Sequence, residues 1–98
     1  MGHKHKKNSV YKALLALENE KEVKLFIRDL CTPAEIKAIE ERWEIVQLLY
    51  TTDWSYRKIS EKTGASTTTI GRVARFLNDE RNKGYKILLD RLLENGTQ

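Results

Sequence analysis

One glycine constrains this chain more than any other residue. Gly64 stands between "SYRKISEKT" and "ASTTTIGRVARFLN", two short stretches of helical periodicity, where a residue free to turn left-handed can end the first helix. A helix-turn-helix needs two helices crossing steeply at such a turn. The offsets around Gly64 suit that geometry. Ser60, four residues earlier, is small enough for close approach, and Ile59, Thr63, Ala65, Ile70 and Val73 fall where the two helices must pack on each other and on a scaffold. A buried Thr63 must bond its hydroxyl back to a helix carbonyl.

The scaffold is legible upstream. Val10 to about Asn19 repeats Tyr11, Leu14, Leu15 and Leu17 at helical spacing after a Ser9 cap. A second helix follows at once, with Val23, Phe26, Ile27 and Leu30 on one stripe. Leu25 lies off that stripe, so this helix is expected to be buried on two sides. "CTPAEI" then signals a start: Thr32 as N-cap, Pro33 in the first helical position, Glu35 completing a capping box, and Cys31 with Ile36 as a hydrophobic staple. Ile36, Ile39, Trp43, Val46 and Tyr50 carry this long third helix to about Thr51, widened by Ile45, Leu48 and Leu49. Ser55 and Ser66 cap the two helices of the motif. A last helix from about Asp79 carries Ile87, Leu88, Leu89, Leu92 and Leu93. The expectation is an all-α chain of six helices with no strand pattern or repeat.

Length and charge narrow the class. A 98-residue chain buries a modest fraction of its surface, and its core can call on a second chain. Eighteen Lys and Arg against 14 Asp and Glu give a net charge of +4, mild evidence for a polyanionic partner. Residues 1–8 read as a disordered basic leader and 9–95 as the folded domain, with the motif at 55–78. His3 and His5 lie on that leader and make too weak a set to hold a metal. The one cysteine, Cys31, fits a reducing compartment, and no apolar run is long enough for a signal peptide or a membrane span, so the expected location is cytoplasmic. There is no glycine-rich phosphate loop, no CxxC and no HExxH. "AIEERWE" reads as a solvated face, so no catalytic set and no cofactor are expected.

With Ile70, Val73 and Leu77 turned inward, the opposite face of the motif's second helix presents Ser66, Thr67, Thr68, Gly71, Arg72 and Arg75. Small residues let a helix sink into the major groove, and threonine can donate, accept or offer a methyl to thymine there. No acid occurs from Lys62 to Asn78. In the first helix Arg57 and Lys58 can reach the duplex, and the Arg57 fork matches guanine O6 and N7. The expected activity is sequence-specific binding of double-stranded DNA. The competing readings are a helical module docking on an acidic protein and a DNA-processing enzyme separated from its catalytic domain. Arg42 is the odd residue of the third helix: it shares an apolar stripe and lacks a carboxylate at helical spacing, which fits a snorkelling side chain or an anion or aromatic site.

From Leu30 to Leu77 the chain resembles the Trp repressor family. From about Leu14 to Leu92 it is more similar still to the repressor-related bacterial group called YerC/YecD, through "DLCTPAEI", "ERWEIVQLL" and "KISEKTGASTTTIGRVARFLN". The resemblance implies an intertwined homodimer that reads palindromic operator half-sites. It assigns base contact to Arg57 and groove-facing positions to Thr67, Thr68 and Gly71. It also implies a co-repressor pocket with Arg42 and Arg72 on either side of the ligand and Thr32 as a capping threonine. Two positions depart from the family: Val73 stands for a glycine and Phe76 for a small serine. The reading is therefore of a regulator that does not answer to tryptophan, with Phe76 filling the indole space and stacking on a guanidinium. The alternatives are a tryptophan-responsive aporepressor and a Val73 that turns into the core and leaves the pocket open.

Overall fold

The computed structural model describes residues 7–81 and 83–94. Those residues form six α-helices, α1 (Val10–Ala16), α2 (Glu20–Leu30), α3 (Pro33–Thr51), α4 (Tyr56–Thr63), α5 (Thr67–Asn78) and α6 (Gly84–Leu89), followed by a π-helical turn over Asp90–Glu94. No strand occurs among them. Residues 1–6 of the expected leader and residue 95 of the expected domain lie outside the described residues. The chain divides into two compact units, Met1–Ile36 and Lys37–Gln98.

In the first unit the ends of the helices are set by side chains. The Ser9 hydroxyl accepts from Lys12 N at 3.1 Å and starts α1. That helix stops at Ala16, three residues short of the expected Asn19, because Asn19 caps α2: its Oδ1 accepts from Glu22 N at 2.9 Å, while Glu22 reaches back to Glu18 N at 2.9 Å. The capping box of α3 forms as expected, with Thr32 Oγ1 accepting from Glu35 N at 3.2 Å and Glu35 Oε1 from Thr32 N at 2.8 Å. The expected burial of α2 is not met within the single chain. Neither α1 nor α2 holds a buried residue, and Leu15, Leu25 and Leu30 are more than half exposed.

The second unit holds the core. Ile45 and Val46 of α3, Ile59 of α4, Ala65 of the turn, Ile70 and Val73 of α5 and Leu89 of α6 form one buried cluster, with Trp43, Leu48, Leu49, Tyr50, Trp54, Leu77, Tyr85 and Leu93 packed against it. Full burial of a Val or Ile side chain stabilises by roughly 1.5–3 kcal/mol, so this cluster fixes how α4 and α5 lie on α3. At the end of α3 the hydroxyls of Thr51 and Thr52 bond back to the Gln47 and Leu48 carbonyls at 2.8 and 2.6 Å, which closes the helix before Trp54. Tyr50 Oη donates to Asp90 Oδ1 at 2.6 Å and ties α3 to the π-helical turn.

The last helix starts later than its apolar pattern suggests. Asp79 accepts from Arg81 N at 2.9 Å and from the Arg81 guanidinium at 3.2 and 3.0 Å, a local turn that competes with helix. The same bonds hold the Arg81 guanidinium above its ordinary pKa. Helix resumes only at Gly84.

Gly64 has φ +81°, ψ −2° and is the only residue with positive φ among those described. A Cβ there would meet nothing within 4 Å, so a substitution is resisted by the backbone alone. Gly64→Ala is expected to lower unfolding free energy by about 1–2 kcal/mol, the cost of placing an L side chain in the left-handed region, with no change in helix content. Urea unfolding followed by circular dichroism measures this, and an unchanged midpoint contradicts it.

Candidate nucleic-acid interface

The turn of the motif is held by its own hydroxyls. Ser60 Oγ donates to the Ala65 carbonyl at 2.6 Å across the turn, and Thr63 Oγ1 donates to the Ile59 carbonyl at 2.8 Å while accepting from Ala65 N at 3.1 Å. The half-buried Thr63 thus bonds back to a helix carbonyl, as its position in the motif requires. Ser55 accepts from Lys58 N and Ser66 from Thr69 N, each at 3.1 Å, so both helices begin on a capped turn. Ile59, Ala65, Ile70 and Val73 are buried and Leu77 packs against them.

This packing decides what α5 shows outward. Ser66, Thr67, Thr68, Arg72 and Arg75 are exposed and Gly71 is half-buried, so the structure brings the expected face together on one helix. Ser66 also donates to Thr69 Oγ1 at 3.1 Å, which commits its hydroxyl to the first turn. Among the described residues Arg72 and Arg75 have no ion-pair partner. Arg57 is paired with Glu61 at 3.9 Å, with side chains 90% and 68% exposed. A pair that open to water contributes little, so Arg57 can leave Glu61 for a better acceptor at small cost. Lys58 lies over the Trp54 ring, 4.3 Å from its centroid. The pattern of the sequence did not single out Trp54, which sits in the connection before α4 and holds the ammonium on the motif's near side.

On another side of α5 is a cavity of about 290 Å³ lined by Arg42, Thr69, Arg72, Val73, Phe76 and Tyr85. Of the pocket residues named from the sequence, Arg42, Arg72, Val73 and Phe76 line this cavity. Thr32 is not among the lining residues, and its hydroxyl serves the α3 cap. Thr69 and Tyr85 are additions. Thr69 is one turn before Val73 on the same helix, a spacing visible in the sequence. Tyr85 enters only because α6 folds back on α5. Val73 is turned into the core, 3% exposed, so it forms a wall without filling the space. Phe76 remains 46% exposed, and among the described residues it stacks on no guanidinium. The cavity therefore stays open, lined by two arginines that have no carboxylate partner among the described residues. It is a space that a small anionic or aromatic molecule can enter.

No other chemistry gathers in the described residues. No group of three or more His, Cys, Asp or Glu is placed to hold a metal, and no helix is long and apolar enough to cross a membrane.

Comparison with known proteins agrees with the geometry. A family model described as Trp repressor protein matches residues 5–93. The chain is 38% identical over 91 residues to YerC, an uncharacterised protein of Bacillus subtilis, covering 93% of this chain and 86% of that one. Two solved structures share the fold. A TrpR-like protein from Eubacterium eligens superposes with a TM-score of 0.78 at 41% identity, over 85% of this chain and 84% of its own. A structure described as a candidate Trp repressor from Staphylococcus aureus gives 0.77 at 37% identity, over 85% and 81%.

Proposed function

Since this chain belongs to the Trp repressor family, we propose that it is a sequence-specific DNA-binding transcriptional regulator, repressor-like, acting as a homodimer. Each α5 enters the major groove of one half-site of a near-palindrome. The observation that carries this reading is the outward face of α5, where two threonines and two unpaired arginines stand together without an acid on a helix fixed by the core behind it. A rigid cationic helix with small side chains is what a phosphate-lined groove accepts.

Contacts divide by chemistry. Arg57, Thr67, Thr68 and Gly71 lie against bases, while Lys58, Arg72 and Arg75 hold phosphates, with Ser66 capping the helix between them. Arg57→Ala is expected to cost about 1–3 kcal/mol on the preferred site and to relax one base position. Arg75→Ala is expected to weaken all duplexes alike and to flatten the salt dependence by about one ion. Fluorescence anisotropy with specific and random duplexes at several salt concentrations checks both. Two identical profiles contradict the division.

The homodimer is supported by α1 and α2, in which no residue is buried and Leu15, Leu25 and Leu30 stay more than half exposed. Folding and association are then one event, and the thermal midpoint is expected to rise with protein concentration. A folded monomer in sedimentation at micromolar concentration contradicts it.

The regulator is proposed to work without tryptophan. Phe76 lines the cavity where the family resemblance implies a small serine, and a ligand site crowded by an added ring typically loses about 1–3 kcal/mol. One observation favours the competing reading of a tryptophan-responsive aporepressor: Val73 is buried, and the space between Arg42 and Arg72 is open. Calorimetry in millimolar tryptophan separates the two. No shift in melting is expected. A stabilisation approaching the ~2.7 kcal/mol of a ligand at a hundred times its Kd, with tighter duplex binding, overturns tryptophan independence.

A further inference from the structure

The groove-facing position assigned to Gly71 has no side chain with which to read anything. Its surroundings show what fills the place. A Cβ built at Gly71 would stand 3.9 Å from Cε2 of Tyr56, and no other atom beyond the helix and its chain neighbours comes within 4 Å. Tyr56 is the first residue of α4, next to Arg57, and its side chain is left 44% exposed although the helix packs its Ile59 into the core. The edge of a tyrosine ring thus stands at van der Waals distance from the place a side chain would take at Gly71, one turn from Thr67 on one side and from Arg75 on the other. Every other expected reading group on this surface is a hydroxyl or a cation. The Tyr56 ring adds a broad apolar surface beside them.

We infer that Tyr56 is a specificity-determining residue that reads a thymine 5-methyl group through its ring, taking the place of the side chain that Gly71 lacks. The inference rests on the DNA-binding reading above and deepens it. Thymine is the only base that offers a methyl in the major groove, and an aromatic edge packed on a recognition helix is an apolar surface able to cover it. The glycine then has a defined role: a larger residue at 71 would compete with the ring for the same space.

The test uses the full chain and the duplex it selects from a random pool, with each thymine of the half-site replaced in turn by deoxyuridine. This removes the methyl and leaves the pairing edge intact. The wild-type protein is expected to lose about fourfold in affinity at one thymine per half-site, the factor that burial of a single methyl supports. Tyr56→Ala is expected to bind the thymine and uracil duplexes equally, and Tyr56→Phe to restore the fourfold ratio. If Tyr56→Ala melts, Tyr56→Ser, read by the same ratio, takes its place. The inference is overturned if the small variant keeps the ratio, or if Tyr56→Phe loses it, which would make the hydroxyl and not the ring the group on which the discrimination depends. A wild-type protein that selects a site but ignores every methyl overturns this inference alone. One that selects no site overturns the DNA-binding reading with it.

Discussion

Everything proposed for this molecule depends on the packing of Ile59 and Ile70 against Ile45 and Val46. All four are fully buried. Two helices of 8 and 12 residues have little stability of their own, so their crossing is fixed by this contact and by the left-handed Gly64 that permits the turn. Once Ile70 and Val73 point inward, helical spacing leaves Thr68, Arg72 and Arg75 nowhere to go but outward. The polar surface is a consequence of the apolar one.

α5 consequently serves more than one neighbourhood. Its buried stripe is core, its outward face is the proposed DNA surface, and its flank toward α6 walls the cavity. Arg72 belongs to both of the last two. On the proposed reading, a molecule held between Arg42 and Arg72 would bias the side chain that also meets the phosphate backbone, so effector and duplex would be linked through a single guanidinium. Phe76 lies half-exposed at the edge of this cavity and also of an apolar hollow formed with Trp43, Tyr85 and Leu88.

Much of this was legible in the residue order, because helix ends and helix faces are local. Ser9, Thr32 with Glu35, Ser55, Gly64 and Ser66 each announce a cap, and each acts as one. The pattern failed where a side chain had a second local option. Asn19 fits the end of one helix and the start of another, and its amide chose the latter; Asp79 looks like a helix start but captures Arg81 and delays α6 to Gly84. Pairings between elements were not legible. Neither Tyr85 in the cavity nor the Tyr56 ring over Gly71 has a signature in spacing, since each depends on two helices meeting in space. The apolar pattern of the second helix predicts burial on two sides, and none of its residues is buried among those described.

On the proposed reading, a two-fold pair of α5 helices recognises DNA sequence. Selection of bound duplexes from a random pool, followed by alignment of the enriched sequences, tests it most directly. The expected result is a near-palindrome whose half-sites are centred about one helical turn, or roughly 10 base pairs, apart, bound about 10³-fold or more tightly than random DNA at the same salt. Enrichment of sequences without two-fold symmetry, or no enrichment over the starting pool, would contradict it.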